Sequence, residues 1–101
     1  MRILWAPLAI DRASEEAAFI ARDKPEAAKR WLEGLLRTVD RLASFPLSGK
    51  RVPEIANSEY RQLTYRSHRV VYRVHEETVA ILTVRRFKQK LRTDDLREIA
   101  G

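Results

Sequence analysis

The apolar residues of this chain change their spacing once, and that change restricts the fold to helices followed by strands. Up to about residue 44 they recur every three or four positions, the period of a helix face. From residue 59 they alternate, the period of a strand. In the first region Ala6, Ile10, Ala13, Ala17, Ile20 and Ala21 share one face of a helix predicted over residues 7–22. Pro7 suits its first turn, where a missing N–H costs nothing. The opposite face carries Asp11, Arg12, Glu15, Glu16 and Arg22. Asp23-Lys24-Pro25-Glu26 has the form of a second helix start, with Asp23 able to accept from free N–H groups and Glu26 placed as in a capping box. Ala28, Trp31, Leu32, Leu35, Val39 and Leu42 line that helix, which should end near Ser44 because Pro46 disfavours helix at Phe45. So short a link predicts an antiparallel hairpin, with the small alanines admitting Trp31 and the leucines.

Residues 2–5 form a short apolar run, read as a strand, and residues 46–58 read as a loop broken by Pro, Gly and Asn. Three strands are predicted after it: residues 59–66, 68–75 and 78–86, joined by turns at Ser67-His68 and Glu76-Glu77. The last is the most apolar and should be central. Strict alternation puts Ala80, Leu82 and Val84 on one of its faces and Val79, Ile81, Thr83 and Arg85 on the other. Thr93-Asp94-Asp95 should cap a final helical turn reaching Ile99. The fold class is therefore α+β in one domain over residues 1–101: an N-terminal strand, an antiparallel helical hairpin, a three-stranded antiparallel hairpin-linked sheet and a short C-terminal helical turn. Helices should cover one sheet face, and the other should carry Arg69, Arg73 and Arg85.

Charge is unevenly distributed. The net +6 divides into +1 over residues 1–45 and +5 over residues 46–101. The stretch from Tyr60 to Arg92 holds nine Lys/Arg and two acids, Glu76 and Glu77. A surface built from it suits a polyanion or an acidic protein partner. With no cysteine, disulfides and thiolate zinc sites are excluded. No apolar run approaches the ~20 residues needed to span a bilayer, so no membrane association is expected and a cytoplasmic location is the natural reading. Two separated histidines lack metal-ligand spacing, and three scattered glycines make no phosphate loop, so no metal or cofactor is expected.

Single residues mostly read as structural. Tyr72 lies on the core-facing set and should pack with a satisfied hydroxyl. Trp31 and Trp5 read as core, His68 as a turn residue and His75 as a surface histidine. Asp94, Asp95 and Glu98 read as caps or decoration of the tail.

Several segments together resemble the RelE/ParE superfamily of bacterial type II toxins. They are Trp5-Ala6-Pro7-Leu8-Ala9, the Ala27-Ala28 helix, the Leu42-Ala43-Ser44-Phe45-Pro46-Leu47-Ser48-Gly49 corner, Tyr60-Arg61-Gln62-Leu63, Ser67-His68-Arg69-Val70-Val71-Tyr72-Arg73-Val74 and Ile81-Leu82-Thr83-Val84-Arg85-Arg86. The resemblance implies a toxin silenced by a cognate antitoxin. It further implies one of two activities: trapping DNA gyrase by binding, as ParE-like members do, or cutting mRNA on the ribosome, as RelE-like members do. Target-binding residues would be Arg61, Arg69, Arg73, Arg85, Arg86 and Lys88. Under the nuclease alternative Arg61 and Arg69 would be the cationic positions and Arg85, Arg86 and Lys88 would hold phosphate, with His75, Asp94 or Asp95 as base. Arginines stabilise a pentavalent phosphate but cannot transfer protons at neutral pH. RelE-like nucleases usually carry Tyr or His after the last strand, and here residues 87–95 contain neither. The resemblance is therefore closer to ParE-like members, and a binding function without catalysis is expected.

Overall fold

The helical patterns fold as two helices in the computed structural model, which describes residues 1–97. Helix α1 spans Pro7–Ala21 and α2 spans Pro25–Asp40, each with proline in its first turn. A 3-10 turn, Arg41–Ala43, continues α2 toward Pro46. The expected capping box does not form: the N-cap of α2 is Lys24 and no side chain caps it. Proline at the start already removes one of the donors that a box would satisfy. Ala9 and Ala13 of α1 pack into one core with Trp31, Leu35 and Val39 of α2, so small residues do admit the large ones. Ile10, expected on that face, is 50% exposed. The buried stripe runs Ala6, Ala9, Ala13, one position away from the one that would include Ile10.

The sheet has five strands in the order β1-β5-β4-β3-β2, not three. Strand β1 (Arg2–Trp5) lies at one edge, parallel to β5 (Thr78–Arg86), with Arg2 opposite Thr78 and Trp5 opposite Ile81. Parallel neighbours cannot be joined by a tight turn, and here the whole intervening chain makes the return. Strand β2 (Lys50–Arg51) falls in the expected loop and pairs antiparallel with β3 (Tyr60–Tyr65). Two residues are too few to carry an alternation signal. The central antiparallel pair is β4 (His68–His75) with β5.

One irregularity decides the faces of β5. Val71 opposes Thr83 and Tyr72 opposes Ile81, so Leu82 is an extra residue, a bulge. Val79, Ile81 and Val84 consequently all enter the core beneath the helices, which strict alternation forbids. Beyond the bulge Thr83 and Arg85 point to the opposite face. Arg85 thus reaches the expected face through the bulge, not through simple alternation.

Two hairpin turns use left-handed residues, Arg66 at φ 52° and Glu76 at φ 55°. His68 is not in its turn. It is the first residue of β4 and is buried against Trp31, ring centroids 5.3 Å apart. Tyr72 behaves as expected: its buried hydroxyl donates to the Pro46 carbonyl at 2.8 Å and accepts from the Gly49 N–H at 2.9 Å. The C-terminal turn is 3-10, Thr93–Leu96. Its expected end at Ile99, and Glu98, lie outside the described residues. Among the described residues no helix is long and apolar enough to cross a membrane.

Candidate functional site

The face of the sheet turned away from the helices is a row of arginines, each answered by a carboxylate. Cross-strand register places Arg69 opposite Arg85, and Arg73 opposite Ala80, on that face. Arg69 is buried and forks onto Glu54, its Nη1 2.9 Å from Oε1 and its Nη2 2.6 Å from Oε2. It also donates to Gln62 Oε1 at 3.0 Å and to the Gln89 carbonyl at 2.9 Å. Arg85, equally buried, donates from Nε to both oxygens of Asp95 at 3.1 and 2.9 Å. Arg73 donates to Glu59 from Nε at 3.1 Å and Nη2 at 2.9 Å, and lies over the Tyr60 ring at 5.6 Å. His75 Nδ1 is 2.9 Å from the other oxygen of Glu59.

These pairings depress the carboxylates. The Arg69 hydrogen bond, helped by the charge of the same guanidinium, draws Glu54 down to about 2 against the opposing effect of burial. Hydrogen bonds from His75 and then Arg73 lower Glu59. Burial alone would raise Asp95, but donation from the Arg92 N–H, the Thr83 hydroxyl and Arg85 outweighs it and holds the group below the ordinary aspartate value. Asp95 is thus a fully buried counter-ion and not a decoration of the tail. Asp94 is half exposed, its carboxylate 4.0 Å from Arg92 Nε.

The six cations expected to make one surface do not share a face. Arg61 opposes Tyr72, which puts it on the helix side, where it donates to the Gly49 carbonyl at 2.9 Å. Arg86 opposes His68, also on the helix side. It lies over Phe19 at 5.6 Å, with Nη2 3.5 Å from Glu16. Lys88 is exposed in the turn after β5. Period-two reasoning over β3 and β4 was sufficient to separate Arg61 from Arg69 once their pairing register is known, but register is a tertiary fact. The acids were the larger omission. Glu54 and Glu59 come from the expected loop and its margin, and Asp95 from the tail, so no local pattern tied them to strand arginines. Arg12 and Glu16 of α1, read as a solvent face, instead meet the end of β5 and His68: Arg12 Nε is 3.4 Å from Asp95, and Glu16 3.5 Å from His68 Nε2. Their i, i+4 spacing was the available signal. Among the described residues no group of three or more His, Asp or Glu could hold a metal ion.

Comparison with known proteins gives a consistent result. The family model described as "ParE toxin of type II toxin-antitoxin system, parDE" matches residues 3–91. A protein of Sinorhizobium fredii (strain NBRC 101917 / NGR234), named "Putative toxin Y4kP", is 36% identical over 83 residues, covering 82% of this chain and 84% of that protein. Among solved structures, the chromosomal ParDE TA system from P. aeruginosa superposes with a TM-score of 0.73 at 20% identity, covering 85% of this chain and 95% of that one. The YoeB dimer from Staphylococcus aureus superposes with a TM-score of 0.57 at 15% identity, covering 84% and 94%. At these identities the two superpositions speak for the fold alone.

Proposed function

Because the chain belongs to the ParE toxin family of type II toxin–antitoxin systems, we propose that it arrests growth by binding DNA gyrase, and that a cognate antitoxin neutralises it. One observation carries the reading: every arginine on the outer sheet face is already committed to a carboxylate. A metal-independent nuclease needs free cations at the phosphate and a group that moves protons. For Arg69 to hold a phosphate it must first leave Glu54, Gln62 and a backbone carbonyl, exposing a buried charge network to an unpaired state. A balanced, hydrogen-bonded surface suits a protein partner better than a bare polyanion. Purified protein added to gyrase and plasmid should inhibit supercoiling or accumulate cleaved DNA, and addition of the antitoxin from the adjacent gene should reverse it. Undisturbed supercoiling at about micromolar protein, with growth arrest retained in cells, removes the reading.

A second reading has one specific support. Glu59 binds His75 and Arg73 together, assembling an imidazole, a carboxylate and a guanidinium at one end of the outer face. That set resembles what transphosphorylation of RNA requires. It predicts new mRNA ends on translating ribosomes that vanish with His75→Ala. Primer extension after induction decides between the readings.

A further inference from the structure

On the helix side of the sheet, away from the outer row of arginines, a groove runs between the C-terminal half of α2 and β3. Its larger hollow, about 510 Å³, takes Arg37 and Arg41 from the helix and Arg66 from the β3–β4 turn. An adjoining hollow of about 330 Å³ is lined by Phe45, Ser48 and Leu63. Leu63 opposes Val70 of the core, which places it on the helix side. Thr38 and Arg41 border both hollows, so the two make one depression, cationic at one end and apolar at the other.

The cations here are unanswered. Among the described residues the guanidinium groups of Arg37, Arg41 and Arg66 make no hydrogen bond and no ion pair. Arg66 lies over the Tyr65 ring, 5.6 Å from its centroid. Asp40 is the one carboxylate among the described residues of the lining, so three positive charges meet one negative and two are left over. Glu33, one turn before Arg37, lies outside the lining and forms no ion pair with any of them. Arg37 also complements the negative end of the α2 dipole, but that effect stays within the last turn and Arg66 is not on the helix. Arg66 instead stands in the left-handed region at φ 52°, where glycine sits without a Cβ clash. The apolar end is equally without a partner. Phe45 is 65% exposed and Leu47, two residues on, 62%, the highest values for large apolar side chains among the described residues. Apolar clusters rimmed by polar groups mark interaction surfaces.

We propose that this groove docks an acidic, apolar-anchored segment of the cognate antitoxin. Its large apolar side chains enter beside Phe45 and Leu63, and its carboxylates meet Arg37, Arg41 and Arg66. A guanidinium forks onto a carboxylate through two parallel bonds, as Arg69 does onto Glu54. An amphipathic helix laid in a groove presents such a mixed row on one face. A nucleic-acid strand fits less well. Two unanswered charges neutralise about two phosphates, too few for firm electrostatic binding. Leu47 and Leu63 offer bases no ring on which to stack. The gyrase reading uses the outer face, on the other side of the sheet, which leaves the groove to the neutralising partner. Docking here rests on the antitoxin reading and deepens it by naming where that partner binds and through what chemistry.

The test is calorimetric titration of the full chain with the antitoxin from the adjacent gene. Arg37→Gln/Arg41→Gln should weaken binding about tenfold and flatten its dependence on salt. Phe45→Ala should weaken it about fivefold or more. Arg66→Gly separates binding from folding: affinity should fall about fivefold while Tm stays level or rises, because glycine suits the turn. Arg22→Gln/Lys29→Gln removes as much charge from elsewhere on the helices and should leave affinity within about twofold. Binding by the wild type with all three groove variants unchanged overturns the groove and leaves the antitoxin reading standing. No binding by the wild type overturns both. Tighter binding of a single-stranded oligonucleotide than of the antitoxin, lost in Arg37→Gln/Arg41→Gln, gives the groove to nucleic acid. Loss of gyrase inhibition in the groove variants with antitoxin binding intact gives it to the target, and either result overturns the proposal. Arg66→Gly and Phe45→Ala decide even if the double variant fails to fold.

Discussion

Asp95→Asn removes one charge from a deeply buried ion pair, Arg85–Asp95, while keeping its volume. In the native state the carboxylate is fully buried and accepts from Arg85 Nε, the Thr83 hydroxyl and the Arg92 N–H. The substitution leaves Arg85, itself 8% exposed, without its counter-ion. Breaking one side of such a pair costs about 3–5 kcal/mol, because the remaining charge stays buried. A domain of this size has only ~5–15 kcal/mol in total. At roughly 4–8 °C per kcal/mol, a 3 kcal/mol loss lowers Tm by about 12–24 °C. Urea denaturation and calorimetry measure it directly. Two further results follow from the same cause. Asp95→Leu with Arg85→Met should cost less than Asp95→Asn alone, since the buried Arg85 charge goes with its counter-ion and only the more exposed Arg12, 3.4 Å from Asp95, loses a partner. The difference between wild type and Asp95→Asn should also shrink in acid. The folded pKa of Asp95 lies below its unfolded value, so its contribution is complete above the unfolded pKa and disappears as pH falls through the folded one. A loss under about 1 kcal/mol for Asp95→Asn, or strict additivity in the double variant, refutes the claim that Asp95 exists to neutralise Arg85.

Tyr72→Phe should lose about 1–3 kcal/mol in urea, because the Gly49 N–H and the Pro46 carbonyl both lose a buried partner. Gly34→Ala should also destabilise, by about 1–2 kcal/mol, although alanine is the better helix former. A methyl group there collides with the Tyr65 hydroxyl, which donates to the Trp31 carbonyl, and adding Tyr65→Phe should recover part of the loss. Glu54 titrates near 2 in the folded state against 4.5 ordinarily, so its share of stability is present above about pH 4.5 and lost toward pH 2. Its side chain is 38% exposed, so screening limits that share to under about 1 kcal/mol, and Glu54→Gln should flatten the acid limb by no more than this.

What the chain determined locally is the type and order of its elements. Apolar period set both helices and the three long strands, prolines set both helix starts, and the alternation of β4 put Arg69 and Arg73 opposite the core. These are short-range consequences of side-chain direction, and they are legible because each needs only neighbours in sequence. What tertiary structure decided is everything that depends on who lies beside whom. It placed β1 parallel to β5, turned Arg85 outward through the Leu82 bulge, and drew Arg61 and Arg86 to the helix side. Above all it brought Glu54, Glu59 and Asp95 from loop and tail onto the arginines. A cationic count in sequence cannot foresee this, because electrostatic pairing follows distance in space and not separation along the chain.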